Sequence, residues 1–110
     1  MAKNSVTFDY DKKADVAYLT IGTGEPSYCE ERDDTILIER GFYSNLITGL
    51  QILRFNAVKK GTVNWNLKDI KQIISNEKSF ANKYLYLAHH KEALEKLEEM
   101  IDKKLGIHLK

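Results

Sequence analysis

Two adjacent histidines, His89 and His90, are the residues of this sequence whose types most suggest chemistry. Neighbouring residues on a helix point about 100° apart, so these two imidazoles cannot easily bind one metal ion. Glu92 follows His89 by three positions, a spacing that holds a metal only when another element supplies two more ligands. No such element is evident. We therefore predict no metal site, with one histidine at the surface and the other at the boundary of the core.

The other reactive residue types do not form a catalytic pattern either. Cys29 is the only cysteine and no histidine signature accompanies it, and a lone thiol is more often inert than nucleophilic. Asp9, Asp11 and Asp15 lack the glycine and the glutamate of a calcium-binding EF-hand loop, so a charged hairpin turn explains them better. We predict no catalytic residue and no cofactor, and we expect that the protein is not an enzyme.

Acidic residues gather around one connection, between the second and third apolar runs of the chain. They are Glu25, Glu30, Glu31, Asp33, Asp34 and Glu39. We predict that four of them bind a partner, because a negative surface steers a basic protein towards it. These four are Glu30, Glu31, Asp33 and Asp34. The alternative is that the charges only keep an edge strand from pairing with other chains.

Length and charge limit what kind of protein this is. The chain has 110 residues, 43% apolar and 30% charged, which predicts a single globular domain over residues 1–110. Its 17 basic and 16 acidic residues leave a net charge of +1, which disfavours nucleic acid as a partner. Lys59 and Lys60, with Arg54 nearby, are too few charges for a nucleic-acid footprint. The first residues do not resemble a secretory signal and no stretch suits a membrane span, so we predict a cytoplasmic protein.

Short apolar runs between turn residues predict a β-sheet in the first half of the chain. Alternation with a period of two is typical of strands with one buried face, and the third run has aliphatic residues on both faces. The runs span residues 5–10, 16–21, 35–39 and 46–55. We therefore predict a four-stranded antiparallel β-meander over about residues 5–55. Gly49, inside the fourth run, predicts a bulge or a close approach of two backbones.

The second half of the chain has the three-and-four spacing of apolar residues that is typical of helices. We predict helices at about residues 67–75 and 80–105 that cover the sheet, which makes the fold class α+β. A break is expected at 75–79, although the period can also continue through it. Asn66 is the expected cap of the first helix. The second helix would be about 40 Å long, more than the width of such a sheet, so we predict that it overhangs and forms a homodimer.

Part of the sequence resembles a known family. Tyr10-Asp11, Ala14-Asp15 and Tyr18 form a hairpin motif, an acidic connection follows, and Ile47, Gly49 and Ile52 form a strand motif. Over about residues 5–55 this combination resembles the small bacterial family of unknown function numbered 2283, also called YuzE-like. The resemblance implies a compact β-meander with a helical addition. Some members of that family are suspected antitoxins of toxins similar to the RelE ribonucleases, and no catalytic residues are established for the family. The helical region after Phe55 departs from the short members of that family.

Two functions are compatible with these patterns. We expect a non-catalytic protein-binding module, antitoxin-like, whose acidic connection at 25–34 steers a small basic RelE-type ribonuclease. The alternative is a small-ligand binding or enzymatic domain with a pocket between the sheet and the helices. The side chains expected to line that pocket are Tyr18, Tyr43, Trp65 and Tyr84, with His90 at its rim.

Overall fold

The fold places a sheet first and the helices after it. A computed structural model describes residues 5–60 and 67–105, apart from the side chains of Asp33 and Leu67. The strands are β1 (Val6–Asp11), β2 (Val16–Ile21), β3 (Ser27–Asp33), β4 (Ile36–Gly41) and β5 (Ile47–Leu53). The helices are α1 (Phe55–Lys60), α2 (Leu67–Ala81) and α3 (Ala88–Leu105), with one 3-10 turn at Leu85–Leu87. The prediction of an α+β fold with an antiparallel sheet and C-terminal helices is confirmed.

The sheet differs from the predicted four-stranded meander in its number of strands and in their order. Five antiparallel strands lie in the order β1-β2-β5-β4-β3. The additional strand is β3, which the acidic connection forms at one edge by pairing with β4, for example Cys29 with Glu39. The connection 22–26 therefore passes over the end of the sheet, because β5 and β4 separate β2 from β3. An edge strand needs few apolar residues, so the apolar pattern does not predict it.

Strand β5 occupies the centre of the sheet because it is apolar enough to be buried between two neighbours. Leu50 pairs with Leu19 of β2 and with Ile38 of β4, and all three side chains are buried. Gly49 pairs with Thr20, and a Cβ atom at Gly49 would lie 2.5 Å from the carbonyl oxygen of Leu19. A close approach of two backbones was expected at this glycine and is confirmed, since a larger residue leaves no room for it.

The helix boundaries also differ from those predicted. α2 continues through the expected break at 75–79 and ends at Ala81, and α3 begins only at Ala88. The break lies instead at 82–87, where neither glycine nor proline occurs, so no local signal marks it. The expected cap at Asn66 lies outside the described residues.

The break follows from the way in which α2 and α3 pack. Near the start of α2, Lys71 forms an ion pair of 2.5 Å with Asp102 near the end of α3. Just after α2, Asn82 accepts a hydrogen bond of 2.9 Å from Lys91 near the start of α3. The two helices are therefore antiparallel. The chain must turn between them because both helices pack on the same face of the sheet.

The core lies between these two helices and the sheet. Its largest fully buried side chains are Leu19, Ile36, Ile38, Ile47, Leu50, Ile52, Ile70, Ile74, Leu94, Leu97, Ile101 and Leu105. The apolar stripe of α3 is buried along its length, and its 18 residues span about 27 Å, not the expected 40 Å. α3 is shorter than the helix from which the homodimer was predicted, and the homodimer stays a prediction.

Helix α1 is a short addition that the sequence pattern did not predict. Arg54 reverses the chain after β5 with a left-handed φ of 51°, and the amide of Phe55 donates to the carbonyl of Asp15 at 3.0 Å. Phe55 and Val58 are buried, which fixes α1 beside the β1–β2 turn. Among residues 5–60 and 67–105, no helix combines the length and the apolar character that crossing a membrane requires.

Candidate functional site

The residues of the hairpin motif that carries the family resemblance form hydrogen bonds that hold this part of the fold together. The Asp11 carboxylate accepts hydrogen bonds of 3.1 Å from two backbone amides and so closes the β1–β2 turn. Tyr10 donates its hydroxyl proton to Asp15 at 2.7 Å, and this hydrogen bond raises the pKa of Tyr10. Asp15 also accepts the amide of Asn56 at 3.1 Å. These contacts attach the hairpin to α1.

The four residues predicted to bind a partner do not form one patch. Glu30 lies on the helix-facing side of β3, where Arg40 donates to it at 2.9 Å. This hydrogen bond lowers the pKa of Glu30. Glu31 lies on the opposite face of the sheet, and both Glu31 and Asp34 are exposed. The side chain of Asp33 is outside the described part of the structure. A basic partner can therefore reach Glu31 and Asp34, whereas Glu30 already has a counter-ion.

A buried polar network connects the sheet to both long helices at the end where β4 turns into β5. Glu77 of α2 accepts a hydrogen bond of 2.7 Å from the amide of Ile47. Its carboxylate also lies 3.4 Å from Nη1 of Arg40 and 2.6 Å from Nε2 of His90. The Glu77 and His90 side chains are 11% and 9% exposed, and charge this far from water is stable only with partners. His90 is thus a boundary residue, as one of the two histidines was expected to be.

The turn between β4 and β5 is held by a carboxylate from the preceding connection. Glu25 accepts hydrogen bonds from the amides of Tyr43 (3.0 Å) and Ser44 (3.1 Å) and from the Ser44 hydroxyl (2.7 Å). The bonds from Ser44 lower the pKa of Glu25. A Cβ atom at Gly41 would overlap with this carboxylate, and Asn45 has a left-handed φ of 62°. The turn therefore presents its side chains in one defined conformation.

Large apolar side chains are exposed at this end of the molecule. Phe42 and Tyr43 in the turn are 67% and 80% exposed, and their ring centroids lie 5.6 Å apart. Leu85 and Tyr86 in the α2–α3 connection are 96% and 79% exposed. With three less exposed neighbours they form what we call the aromatic surface: Tyr28, Phe42, Tyr43, Phe80, Tyr84, Leu85 and Tyr86. Apolar side chains gathered in this way on a protein surface mark sites of interaction.

The α2–α3 connection belongs to the same end as the β4–β5 turn, because Glu77, one helical turn before Phe80, contacts Ile47 just after that turn. Ring contacts order the connection: Tyr84 lies 5.3 Å from Phe80 and 5.7 Å from Tyr86 between centroids. The three-and-four spacing places Phe80 and Tyr84 on the apolar side of the expected helix 80–105. Both are exposed instead, Phe80 in the last turn of α2 and Tyr84 beyond the end of that helix.

Sequence reasoning missed the aromatic surface, although two signals pointed to it. Leu85 and Tyr86 do not fit the three-and-four stripe of the expected long helix, so a continuous helix would have exposed them in any case. Phe42 and Tyr43 are bulky residues in a turn, a position that is usually polar. Exposed aromatic residues at such positions favour a binding role over a packing role.

The pocket of the alternative interpretation is not formed by the described residues. Tyr18 lies on the sheet face opposite the helices, Tyr43 in the β4–β5 turn and Tyr84 in the helix connection. His90 is bound within the buried network, and Trp65 lies outside the described residues. Within the ranges 5–60 and 67–105, no three His, Cys, Asp or Glu side chains are placed to hold one metal ion.

Comparisons with known proteins identify no relative of this chain. No family model matches the chain, and neither the curated proteins nor the solved structures give a match. The resemblance to the YuzE-like family therefore stays a prediction.

Proposed function

We propose that the protein is a non-catalytic protein-binding module that binds its partner through the aromatic surface. One observation carries the proposal: all seven large apolar side chains that are exposed among the described residues lie at one end of the molecule. Single exposed apolar residues are ordinary, but a gathered set is not. Aromatic residues are enriched in protein interfaces and contribute much of the binding energy there.

The conformation of the aromatic surface also supports a binding role. Glu25 fixes the turn that carries Phe42 and Tyr43, and Glu77 ties that turn to α2. Binding is weakened when loops and side chains must be ordered at the interface, and a surface that is already ordered avoids most of that loss.

The partner we propose is a small basic protein similar to the RelE ribonucleases. The family resemblance suggests this class, and the exposed carboxylates of Glu31 and Asp34 favour a basic protein through long-range attraction. In this proposal charge accelerates the encounter, and the aromatic surface supplies the short-range contacts that keep the complex together.

The test is a quantitative copurification with surface variants. Tagged protein is recovered from native lysate, and the copurifying proteins are identified by mass spectrometry and their stoichiometry by light scattering. We expect a stoichiometric small basic protein. The double variant Leu85→Ser with Tyr86→Ser changes only exposed side chains and should lower the affinity for that protein about tenfold or more.

The matched control is Lys59→Ser with Lys60→Ser, because these side chains are exposed on α1 at the opposite end. The control should bind as the unchanged protein does. Recovery of the protein without a basic partner, or equal binding by both double variants, would overturn the proposal.

A further inference from the structure

Two grooves lie end to end on the outer side of the helix layer. The first, of about 360 Å³, lies between the α2–α3 connection and the start of α3. Its apolar lining is Ala81, Tyr84, Leu85 and Ala88, and Lys83 and Lys91 also line it. The second, of about 540 Å³, continues along α3 to Asp102 and touches Lys71 of α2. Glu92 and Glu95 line both, so the two grooves adjoin, and together we call them the helix groove.

The part of the helix groove along α3 is acidic. Four exposed carboxylates follow one another at spacings of three and four and form what we call the acidic stripe: Glu92, Glu95, Glu99 and Asp102. Such spacings place them on one side of the helix. Lys71 and Lys96 also line this part, and Lys71 pairs with Asp102 at 2.5 Å. Glu95 and Glu99 make no ion pair within the described residues.

Solvation alone does not explain this arrangement. A surface helix commonly carries carboxylates that face water and bind nothing. Here the acidic stripe continues into an end where Leu85 is 96% exposed next to the half-exposed ring of Tyr84, with Lys83 and Lys91 in the same lining. Contact with water stabilises the acidic stripe but not the apolar side chains at that end. A ligand that matches both parts must combine positive charge with an apolar group.

We propose that the helix groove binds a basic amphipathic helix of the partner, an inference that rests on the proposed protein-binding function. From Ala88 to Asp102 the groove is about 21 Å long, which corresponds to about four helical turns. Two antiparallel helices form a furrow into which a third helix packs. Lysine or arginine residues three and four positions apart face the acidic stripe, and a bulky apolar residue near one end contacts Tyr84 and Leu85.

Charge decides between this occupant and others. An acidic segment would place like charges against Glu95 and Glu99, which disfavours binding. A purely apolar helix would leave these carboxylates without water and without a counter-ion. A basic helix with one apolar anchor avoids both costs.

The experiment selects ligands without presupposing the partner. A phage library of random peptides about 16 residues long, enough for four turns of helix, is screened against the full chain. We expect enrichment of basic peptides with an apolar residue near one end. The selected peptides are labelled, and their affinity is measured by fluorescence anisotropy.

Three variants locate the binding. Glu95→Lys with Glu99→Lys should weaken the selected peptides at least about tenfold at low salt, and the loss should shrink at high salt because charges are then screened. Leu85→Ser should weaken them at both salt concentrations. Asp9→Lys, which changes an exposed carboxylate of β1 on the sheet face opposite the helices, is the matched control and should bind as the unchanged protein does.

Several outcomes would overturn the inference. Enrichment of acidic or uncharged peptides, no enrichment, or full binding by the Glu95→Lys and Glu99→Lys double variant would each do so. Light scattering adds another: a dimer that dissociates on Leu85→Ser would assign the groove to a second copy of the chain.

The inference and the proposed function fail in different ways. If the copurified partner binds this charge-reversed variant normally but not the Leu85→Ser with Tyr86→Ser variant, protein binding stands and the groove assignment fails. If neither peptides nor a copurifying partner are found, both fail.

Discussion

Replacing Glu77 with alanine should destabilise the fold by about 3 kcal/mol, because several buried groups lose one shared acceptor. The amide of Ile47 donates to this carboxylate at 2.7 Å, and a buried donor without a partner costs ~1–3 kcal/mol. Arg40 also loses an ion pair but keeps Glu30 as a counter-ion, so this loss adds only about 1 kcal/mol. The domain should remain folded, since domains are usually stable by roughly 5–15 kcal/mol.

Two further variants separate the hydrogen bond from the charge. In Glu77→Gln the amide oxygen can still accept from the amide of Ile47, while the ion pair with Arg40 is lost, so we expect a cost of about 1 kcal/mol. Glu95→Ala removes an exposed carboxylate from α3 and should change the stability by less than about 0.5 kcal/mol.

Urea unfolding followed by circular dichroism measures these differences. With a slope of about 1.5 kcal/mol per molar urea, the midpoint should fall by about 2 M for Glu77→Ala and by less than about 1 M for Glu77→Gln. Exchange of the Ile47 amide hydrogen should accelerate in the alanine variant and stay slow in the glutamine variant. Equal midpoints for the two Glu77 variants, or an alanine variant as stable as the unchanged protein, would refute the role assigned to this carboxylate.

Three more predictions concern single contacts. Gly41→Ala should cost about 1 kcal/mol in thermal unfolding, because the Glu25 side chain must move away from the added Cβ and loses hydrogen bonds to Tyr43 and Ser44; an unchanged melting temperature would contradict this. Acid below pH 4.5 should destabilise the fold. Hydrogen bonds from Ser44 lower the pKa of Glu25, and the hydrogen bond from Arg40 lowers the pKa of Glu30. The two ionised carboxylates stabilise the fold above their ordinary pKa of 4.5, and this stabilisation is lost as the pH falls through their lowered pKa values. Equal melting temperatures at pH 7 and pH 3 would argue against this prediction. Burial raises the pKa of the Cys29 thiol, so its reaction with a disulfide reagent at pH 8 should be slower than that of free cysteine, and an equal rate would disprove the assignment.

Local patterns in the sequence were sufficient for the elements that bury one face. Ala17, Leu19 and Ile21 alternate with polar or half-exposed residues and are all buried, so the period of two located β2 and, in the same way, β1, whereas short apolar runs located β4 and β5. The spacing of Leu94, Leu97 and Ile101 likewise predicted the buried side of α3. Each signal depends on neighbours within one turn or one strand, and such neighbours are visible in a sequence.

Contacts between distant parts of the chain decided the features that local patterns did not predict. Strand β3 exists because β4 offers an edge to pair with, and the break after Ala81 exists because two antiparallel helices cover one sheet. Glu77 has its partners because α2 lies over the β4–β5 turn, 30 residues away in sequence from Ile47. Leu85 is exposed for the same reason, since the chain has to turn there. These features depend on which elements meet in space, and a period of two or of 3.6 residues carries no information about that.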